Sequence, residues 1–232
     1  MTQRPSTSLV EAAYREVKGS ILACRLAPDS IVDESAIAQS LGTSKTPVRQ
    51  ALNRLSAEGF IRVLPQRGTL VNRISLADIQ QVFLIRQLLE PEASELAAMR
   101  ATPAQVSLLK RLDEEFESSD ELNPDLDKHT EFHVTVAAVA GVPRMTKIIA
   151  DLQEQMQWFM AVRAAEGGSM PPRHHHRELV NAIATRDSAQ ARRITEESIR
   201  QSREERLRGV GGDSVADLFS SSQYRLETGS KG

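Results

Sequence analysis

Between residues 43 and 71 the apolar period changes from helical to alternating, and this restricts the fold more than any other feature of the 232-residue chain. In the segment TSKTPVRQALNRLSAEG, Val48, Leu52 and Leu55 recur at i, i+4 and i+7. Pro47 falls in the first turn, where its missing N–H costs nothing, Thr43 or Ser44 can cap the start, and Gly59 ends the helix. From Phe60 to Leu64 the period is two, with Phe60, Arg62 and Leu64 on one face and Ile61 and Val63 on the other. Pro65-Gln66-Arg67-Gly68 turns the chain and Thr69-Leu70-Val71 resumes an extended run, so a β-hairpin is expected. Upstream, Leu9, Ala13, Val17, Ile21 and Leu22 form a helical stripe within residues 8–25, and Ile37, Ala38 and Leu41 form a shorter one that stops at Gly42. Three short helices followed by a hairpin make a winged helix-turn-helix, whose third helix enters the DNA major groove while the hairpin tip meets the backbone or minor groove.

With Val48, Leu52 and Leu55 turned to the core, Lys45, Thr46, Arg49, Gln50 and Asn53 point outward. Lys and Arg suit guanine edges or phosphates, and Gln and Asn can pair with adenine. Charge agrees. Residues 1–73 carry ten Lys and Arg against six Asp and Glu, whereas the remainder carries nineteen against twenty-five. A small basic module joined to a larger acidic one is expected to meet a polyanion with the first only.

Beyond residue 74 strand signals vanish and helix starts recur: Ser75 with Asp78, Thr102-Pro103 with Gln105, Asn123-Pro124, and Asp187 with Gln190. Six helices are expected, near 76–100, 103–119, 124–140, 144–166, 172–185 and 188–207. The fourth bears a broad apolar stripe of Met145, Ile148, Ile149, Leu152, Met156, Phe159 and Met160, suited to a bundle centre. The fold class is therefore mainly α: a winged helix-turn-helix over 1–73, an all-α six-helix bundle over 74–208, and a flexible Gly- and Ser-rich tail over 209–232. Trp158 reads as core, and Gln157 and Arg163 beside it as cavity-lining side chains. No apolar run approaches the roughly 18 to 20 residues of a bilayer span, and the start lacks a signal-peptide core, so a cytoplasmic protein is expected.

The single cysteine, Cys24, excludes an internal disulfide and any thiolate-rich metal site, so a metal would need His and carboxylates. His129 and His133, four apart on one helix, share a face one turn apart, as two metal ligands on a helix must. The remaining histidines, His174, His175 and His176, open the fifth bundle helix.

The stretch LGTSKTPVRQALNRLSAEGFIRVLPQRGTLV resembles the winged helix of the GntR transcription-factor family. The resemblance implies operator contacts by Ser44, Lys45, Thr46 and Arg49 and a wing tip at Arg67 and Gly68. Lys45 stands where Arg is usual and cannot make the same bidentate fork. The segment VFLIRQLLEPEASELAA, with Arg86 to Glu90 at its core, is similar to the opening of the FCD effector domain of the FadR-type branch, in its short, six-helix, VanR-like variant. That family binds Zn²⁺ or a similar ion through an Asp and a His four apart plus two later His. His129 replaces the Asp, His133 matches the His, and the register through Leu179, Ala182, Ile183, Arg186 and Asp187 selects His176. Ser198 occupies the position of the last histidine, leaving a His129, His133 and His176 set with coordination open to water or a ligand oxygen. Zn²⁺ is the first choice, with Ni²⁺, Co²⁺ or Mn²⁺ as alternatives. Arg86 takes the place from which related domains direct a guanidinium at an effector carboxylate.

These readings converge on a homodimeric transcriptional regulator, a repressor of a catabolic or transport operon, that binds double-stranded operator DNA and a small carboxylate effector. Two modules on a pseudo-palindrome multiply the few contacts that one winged helix makes. Two other classes fit parts of the chain. One is an architectural DNA-binding dimer without effector; the other is a metal-dependent hydrolase on a DNA-binding module. Against the hydrolase, Glu131 is the carboxylate nearest the histidines, and a helix turns it away from their shared face.

Overall fold

The computed structural model describes residues 6–64, 68–118, 126–167 and 176–207, with the side chains of 6–8 and 207 outside the description. At the N-terminal end lie α1 (Ser6–Leu22), α2 (Glu34–Ser40) and α3 (Lys45–Ala57), followed by β1 (Ile61–Leu64) and β2 (Gly68–Val71). Asp33 caps α2 by accepting from Ser35 N and Ala36 N at 2.8 and 3.0 Å. Gly42 at φ +60° provides the left-handed residue between α2 and α3 that a side chain would strain. Ala13, Val17 and Ile21 of α1 meet Val48, Leu52 and Leu55 of α3 and close over Ile61 and Val71. β1 and β2 pair antiparallel with Ile61 opposite Val71, and Ile31 bridges to Leu70 on the far side.

The alternation expected from Phe60 to Leu64 is realised differently. Phe60 precedes the strand and is buried together with Ile61, whereas Val63, nearer the tip, is exposed. A four-residue strand leaves the core after its first residue, so only its root is under burial pressure.

Six helices follow: α4 (Leu76–Arg100), α5 (Pro103–Glu117), α6 (Leu126–Val139), α7 (Pro143–Ala165), α8 (Arg177–Ala184) and α9 (Ser188–Leu207). Reciprocal capping boxes start α4 (Ser75 with Asp78) and α5 (Thr102 with Gln105), and Asp187 accepts from Gln190 N at 2.9 Å at the start of α9. α4 is the axis of the bundle, packing against α6, α7, α8 and α9. Its partners are held by apolar contacts such as Phe83 and Ile79 with Met156 and Ile199, and by a buried hydrogen bond from Thr195 Oγ1 to Ser94 Oγ of 2.8 Å. α8 is described from Arg177 rather than 172. The Asn123-Pro124 start, Arg67, His174, His175 and the tail lie outside the described residues.

Trp158 is core, as the sequence suggests, but of the other end of the molecule. It reaches from α7 into the apolar cluster of the winged helix and stacks at a tilt on Phe60, ring centroids 5.4 Å apart. Nearby, Lys18 of α1 binds Glu58 at 2.9 Å and Glu154 of α7 at 2.7 Å. These carboxylates, with Tyr14, hold the Lys18 ammonium charged despite its burial. One helix of the bundle is thus bonded directly to the winged helix.

Candidate functional site

Two sites emerge, at opposite levels of the chain. The first is the outward face of α3. Lys45, Thr46, Arg49, Gln50 and Asn53 are all exposed while Val48, Leu52 and Leu55 are buried, as the helical period requires. Ser44 sits at the N-cap in extended conformation and makes no side-chain capping bond. Arg49 Nε donates to Glu34 Oε2 at 2.9 Å across the turn from α2. This pair holds the guanidinium at the mouth of the helix-turn-helix and, with Arg49 exposed, contributes little stability. Gly68 opens β2 at φ +90°, a backbone state that suits glycine, with nothing within 4 Å of an added Cβ; the demand there is conformational.

The second site lies inside the bundle. α6 presents His129 and His133 from one face, and His176, one residue before α8, arrives opposite them. The Nε2 atoms of His129 and His133 are 3.4 Å apart, and one ring nitrogen from each of the three histidines lies within 4.8 Å of the others. Two nitrogens at about 2.05 Å from a tetrahedral ion are separated by about 3.3 Å, so the spacing suits a shared cation. His176 is 5% exposed, and neither of its ring nitrogens has a hydrogen-bond partner among the described residues. A buried imidazole in that state is costly unless something binds it. Burial, reinforced by His129 and His176, holds His133 well below its ordinary range and therefore neutral, the form that coordinates metal.

Asp113, missed in the sequence, stands behind this trio. It is buried on α5, and its Oδ1 lies 3.6 Å from His176 Nδ1. The gap is too long for a hydrogen bond, but a carboxylate so placed can close on the ring and orient it once the other nitrogen binds an ion. Its signal was readable: Asp113 interrupts the buried stripe of Leu109, Leu112 and Phe116. Replacing such a supporting carboxylate typically costs 10–100-fold in metal affinity. Asp113→Asn should show a loss of about that size in zinc titrations, with the melting temperature of the metal-free protein little changed.

Arg86 and Glu90 form a buried ion pair at 2.7 Å, and both side chains are 5% exposed. Gln153 Nε2 also donates to Glu90 Oε1, at 2.8 Å, and the other carboxylate oxygen is 3.9 Å from His133 Nδ1. Arg86 therefore has the ion-pair partner one turn along and also lines the cavity. A second guanidinium, Arg206 at the end of α9, enters the same space; burial, with the Arg86 charge adding to it, pulls it down to about 9. It belongs to a polar stripe of Thr195, Ser198, Ser202 and Arg206 on one side of α9, a pattern visible in the sequence.

The cavity enclosed by Arg86, the three histidines, Ser198 and Arg206 measures about 40 Å³. A water occupies about 10–15 Å³ on this measure, so there is space for an ion and a water or two, and an organic ligand must part the helices. Gln157 and Arg163 are not brought to this cavity. Gln157 is tied to Thr130 at 3.2 Å and to Asp127, while Arg163 lies over Phe159. Glu131 is exposed and paired with Lys128 at 3.2 Å, pointing away from the histidines as expected for its place on the helix.

One helix, α7, bonds to both the wall of the histidine cavity and the winged helix. On α7, Gln153 holds Glu90 beside His133, and its neighbour Glu154 holds Lys18 of the winged helix. No helix among the described residues is long and apolar enough to cross a membrane.

Comparison with known proteins gives concordant results. Residues 9–71 match the family described as bacterial regulatory proteins, gntR family, and residues 81–201 match the FCD domain. The chain is 27% identical over 223 residues to the HTH-type transcriptional repressor RspR of Escherichia coli (strain K12), covering 87% of this chain and 93% of that protein. It is 26% identical over 191 residues to the HTH-type transcriptional repressor GlaR of the same organism, covering 77% and 86%. Its fold matches that of E. coli McbR/YncC with a TM-score of 0.71 at 21% identity, over 88% of this chain and 97% of that one.

Proposed function

Because the chain belongs to the GntR family of DNA-binding transcription regulators and carries an FCD domain, we propose that it is a homodimeric repressor of a catabolic or transport operon. In this reading a small carboxylate metabolite, bound in the histidine cavity, controls its affinity for operator DNA. The family and the relatives make it a transcription regulator and not an enzyme.

The observation that carries the proposal is the convergence of three imidazoles and two guanidiniums on one small cavity, whose wall α7 bonds to through Gln153 while Glu154 bonds to the winged helix. His129, His133 and His176 would hold Zn²⁺, or Ni²⁺, Co²⁺ or Mn²⁺, which would offer a Lewis-acidic centre to a ligand oxygen. Three neutral ligands leave the ion's charge uncancelled, and Arg86 and Arg206 add to it, so an anion is the favoured guest. Ser198, lining the same space, can hydrogen-bond to it. Entry of a molecule larger than the cavity displaces α4, α6 or α9. Because Glu90 and Gln153 tie the wall to α7, that displacement is passed to Lys18, Glu58 and Phe60. Regulation then follows from different affinities of the effector for the two arrangements.

Dimerisation is supported by the exposed Leu84, Ile85 and Leu88 on consecutive turns of α4, apolar side chains that a second copy can cover. The division into a DNA-binding unit over 1–73 and an effector unit over 74–208 accords with the segments matched by the two families.

DNA reading is assigned to Ser44, Lys45, Thr46, Arg49, Gln50 and Asn53 on α3, with Arg67 and Gly68 in the wing. Arg49→Ala should cost about 1–3 kcal/mol in operator affinity, measured by fluorescence anisotropy at fixed salt, and affect random DNA less. An unchanged operator affinity would remove α3 from its recognition role. Operator affinity that ignores both metal and a panel of small carboxylates would instead favour the architectural reading.

A further inference from the structure

The two guanidiniums of the histidine cavity stand differently toward it. Arg86 donates through Nε and Nη2 to the two carboxylate oxygens of Glu90, at 2.7 and 3.3 Å, so its charge is matched. Arg206 has no carboxylate within ion-pairing distance among the described residues, and its Nε meets only the thioether of Met160, at 3.1 Å. Its Nη1 and Nη2 have no hydrogen-bond partner among the described residues. The side chain is only partly buried, and neither atom is among the unpartnered polar atoms sealed inside the protein, so a guest can reach them.

Burial, with the Arg86 charge adding to it, opposes the charge on Arg206, and Glu205 and Glu90 favour that charge only from a distance. A group so placed is costly until an anion meets it. A divalent ion on three neutral imidazoles brings two positive charges. Among the described residues only Asp113, behind His176, stands against them, because Glu90 is spent on Arg86. One charge of the ion and the charge of Arg206 are therefore unmatched by the groups that line the cavity or back the histidines. A guest with one carboxylate answers one of them and buries the other unanswered. The lining also runs lengthwise along α9, from Thr195 to Arg206, about three turns of helix or roughly 16 Å of axis, so an elongated guest can reach groups at both ends.

Resting on the carboxylate reading of this cavity, we propose that Arg206 is its specificity-determining residue and that the effector is a short dicarboxylate. One carboxylate faces the histidines, and the open Nη edge of Arg206 receives the other. Arg86 holds the wall through Glu90 and does not distinguish one acid from another. The free cavity, about 40 Å³, opens around the diacid by the parting of helices that any organic guest requires.

The zinc-loaded full chain is titrated by calorimetry with the diacids from succinate to adipate and with the monoacids of the same carbon number, butyrate to hexanoate. At least one diacid should bind about tenfold or more tightly than its monoacid, the return expected from hydrogen bonds between charged groups. Arg206→Met should bring that diacid down to the level of its monoacid, with the affinities for the monoacid and for zinc little changed. Arg206→Lys, which keeps the charge without the planar fork, should retain part of the preference. Because the guanidinium has no ion pair to lose and Met160 lies against it, Arg206→Met should not lower the melting temperature of the ligand-free protein. Loss of both acids alike in that variant, with a lowered melting temperature, would make Arg206 a structural residue and overturn the assignment. Monoacids that bind the wild type as tightly as the diacids, or a diacid preference that survives Arg206→Met, would overturn it while sparing the carboxylate reading. Binding of neither kind of acid would end both.

Discussion

Arg86→Ala should lower the stability of the protein by about 3–5 kcal/mol, the expected cost of stranding a buried carboxylate by removing its charged partner. Both side chains of the Arg86–Glu90 pair are 5% exposed, and among the described residues Glu90 would keep only Gln153 as a close donor, at 2.8 Å. The cost reflects desolvation more than the strength of the ion pair, which has a testable corollary. Removing both charges, in Arg86→Met with Glu90→Met, should recover most of the loss, because an apolar pair of similar volume is often neutral in such a place. The check is a urea titration followed by far-ultraviolet circular dichroism. A single-variant loss below about 1 kcal/mol, or a double variant no better than the single, would show that the pair does not hold the cavity wall. The doubly apolar protein should also lose its response to carboxylates while retaining its metal.

His133→Ala should weaken metal binding severely rather than modestly. Structural zinc sites bind with about 10–16 kcal/mol over four ligands, so each ligand carries roughly 3–4 kcal/mol, two to three orders of magnitude in affinity. Among the described residues three protein ligands are in reach and no neighbouring group there replaces the lost one; Asp113 lies behind His176, and Glu90 is committed to Arg86 and Gln153. Zinc at a thousandfold excess over its dissociation constant should stabilise the wild type by about 4 kcal/mol. At the same zinc concentration the variant should keep only about 0.4–1.4 kcal/mol of this stabilisation, and its affinity for operator DNA without effector should be close to that of the wild type. Zinc stabilisation of similar size in the variant would mean that the three histidines are packing partners and the ion binds elsewhere.

The elements legible in the sequence were those specified locally. α4 and α9 begin and end where Ser75, Asp187 and the helical period place them, because a cap and an amphipathic stripe are properties of a short stretch. The α3 face followed from three buried residues at i, i+4 and i+7. His129 and His133 followed from a spacing of four, but the choice of His176 among three neighbours needed the family's register. What escaped was set by tertiary contact. Asp113 approaches His176, and Arg206 the cavity, from helices that carry no histidine among the described residues, and only the packing of α5 on α6 and α8 and of α9 on α4 and α8 brings them there. Trp158 could be recognised as apolar core, but nothing near it in sequence shows that its partner is Phe60, almost a hundred residues upstream. Gln157 and Arg163 share α7 with Trp158, and their neighbours on that helix face different surroundings: Gln153 the cavity wall, Trp158 the winged helix.

The central claim is that this chain reads one operator through α3 under the control of the histidine cavity, and its DNA-reading half can be tested directly. Sheared DNA from the source genome is incubated with the purified protein and, in parallel, with Arg49→Ala. Bound fragments are recovered at moderate salt and sequenced. The account predicts enrichment of one short pseudo-palindrome by the wild type, strongly reduced in the variant, with neighbouring genes of catabolism or transport that nominate the carboxylate. Recovery of fragments without a preferred sequence, unchanged when zinc and candidate carboxylates are added or removed, would contradict it and leave an architectural DNA-binding protein.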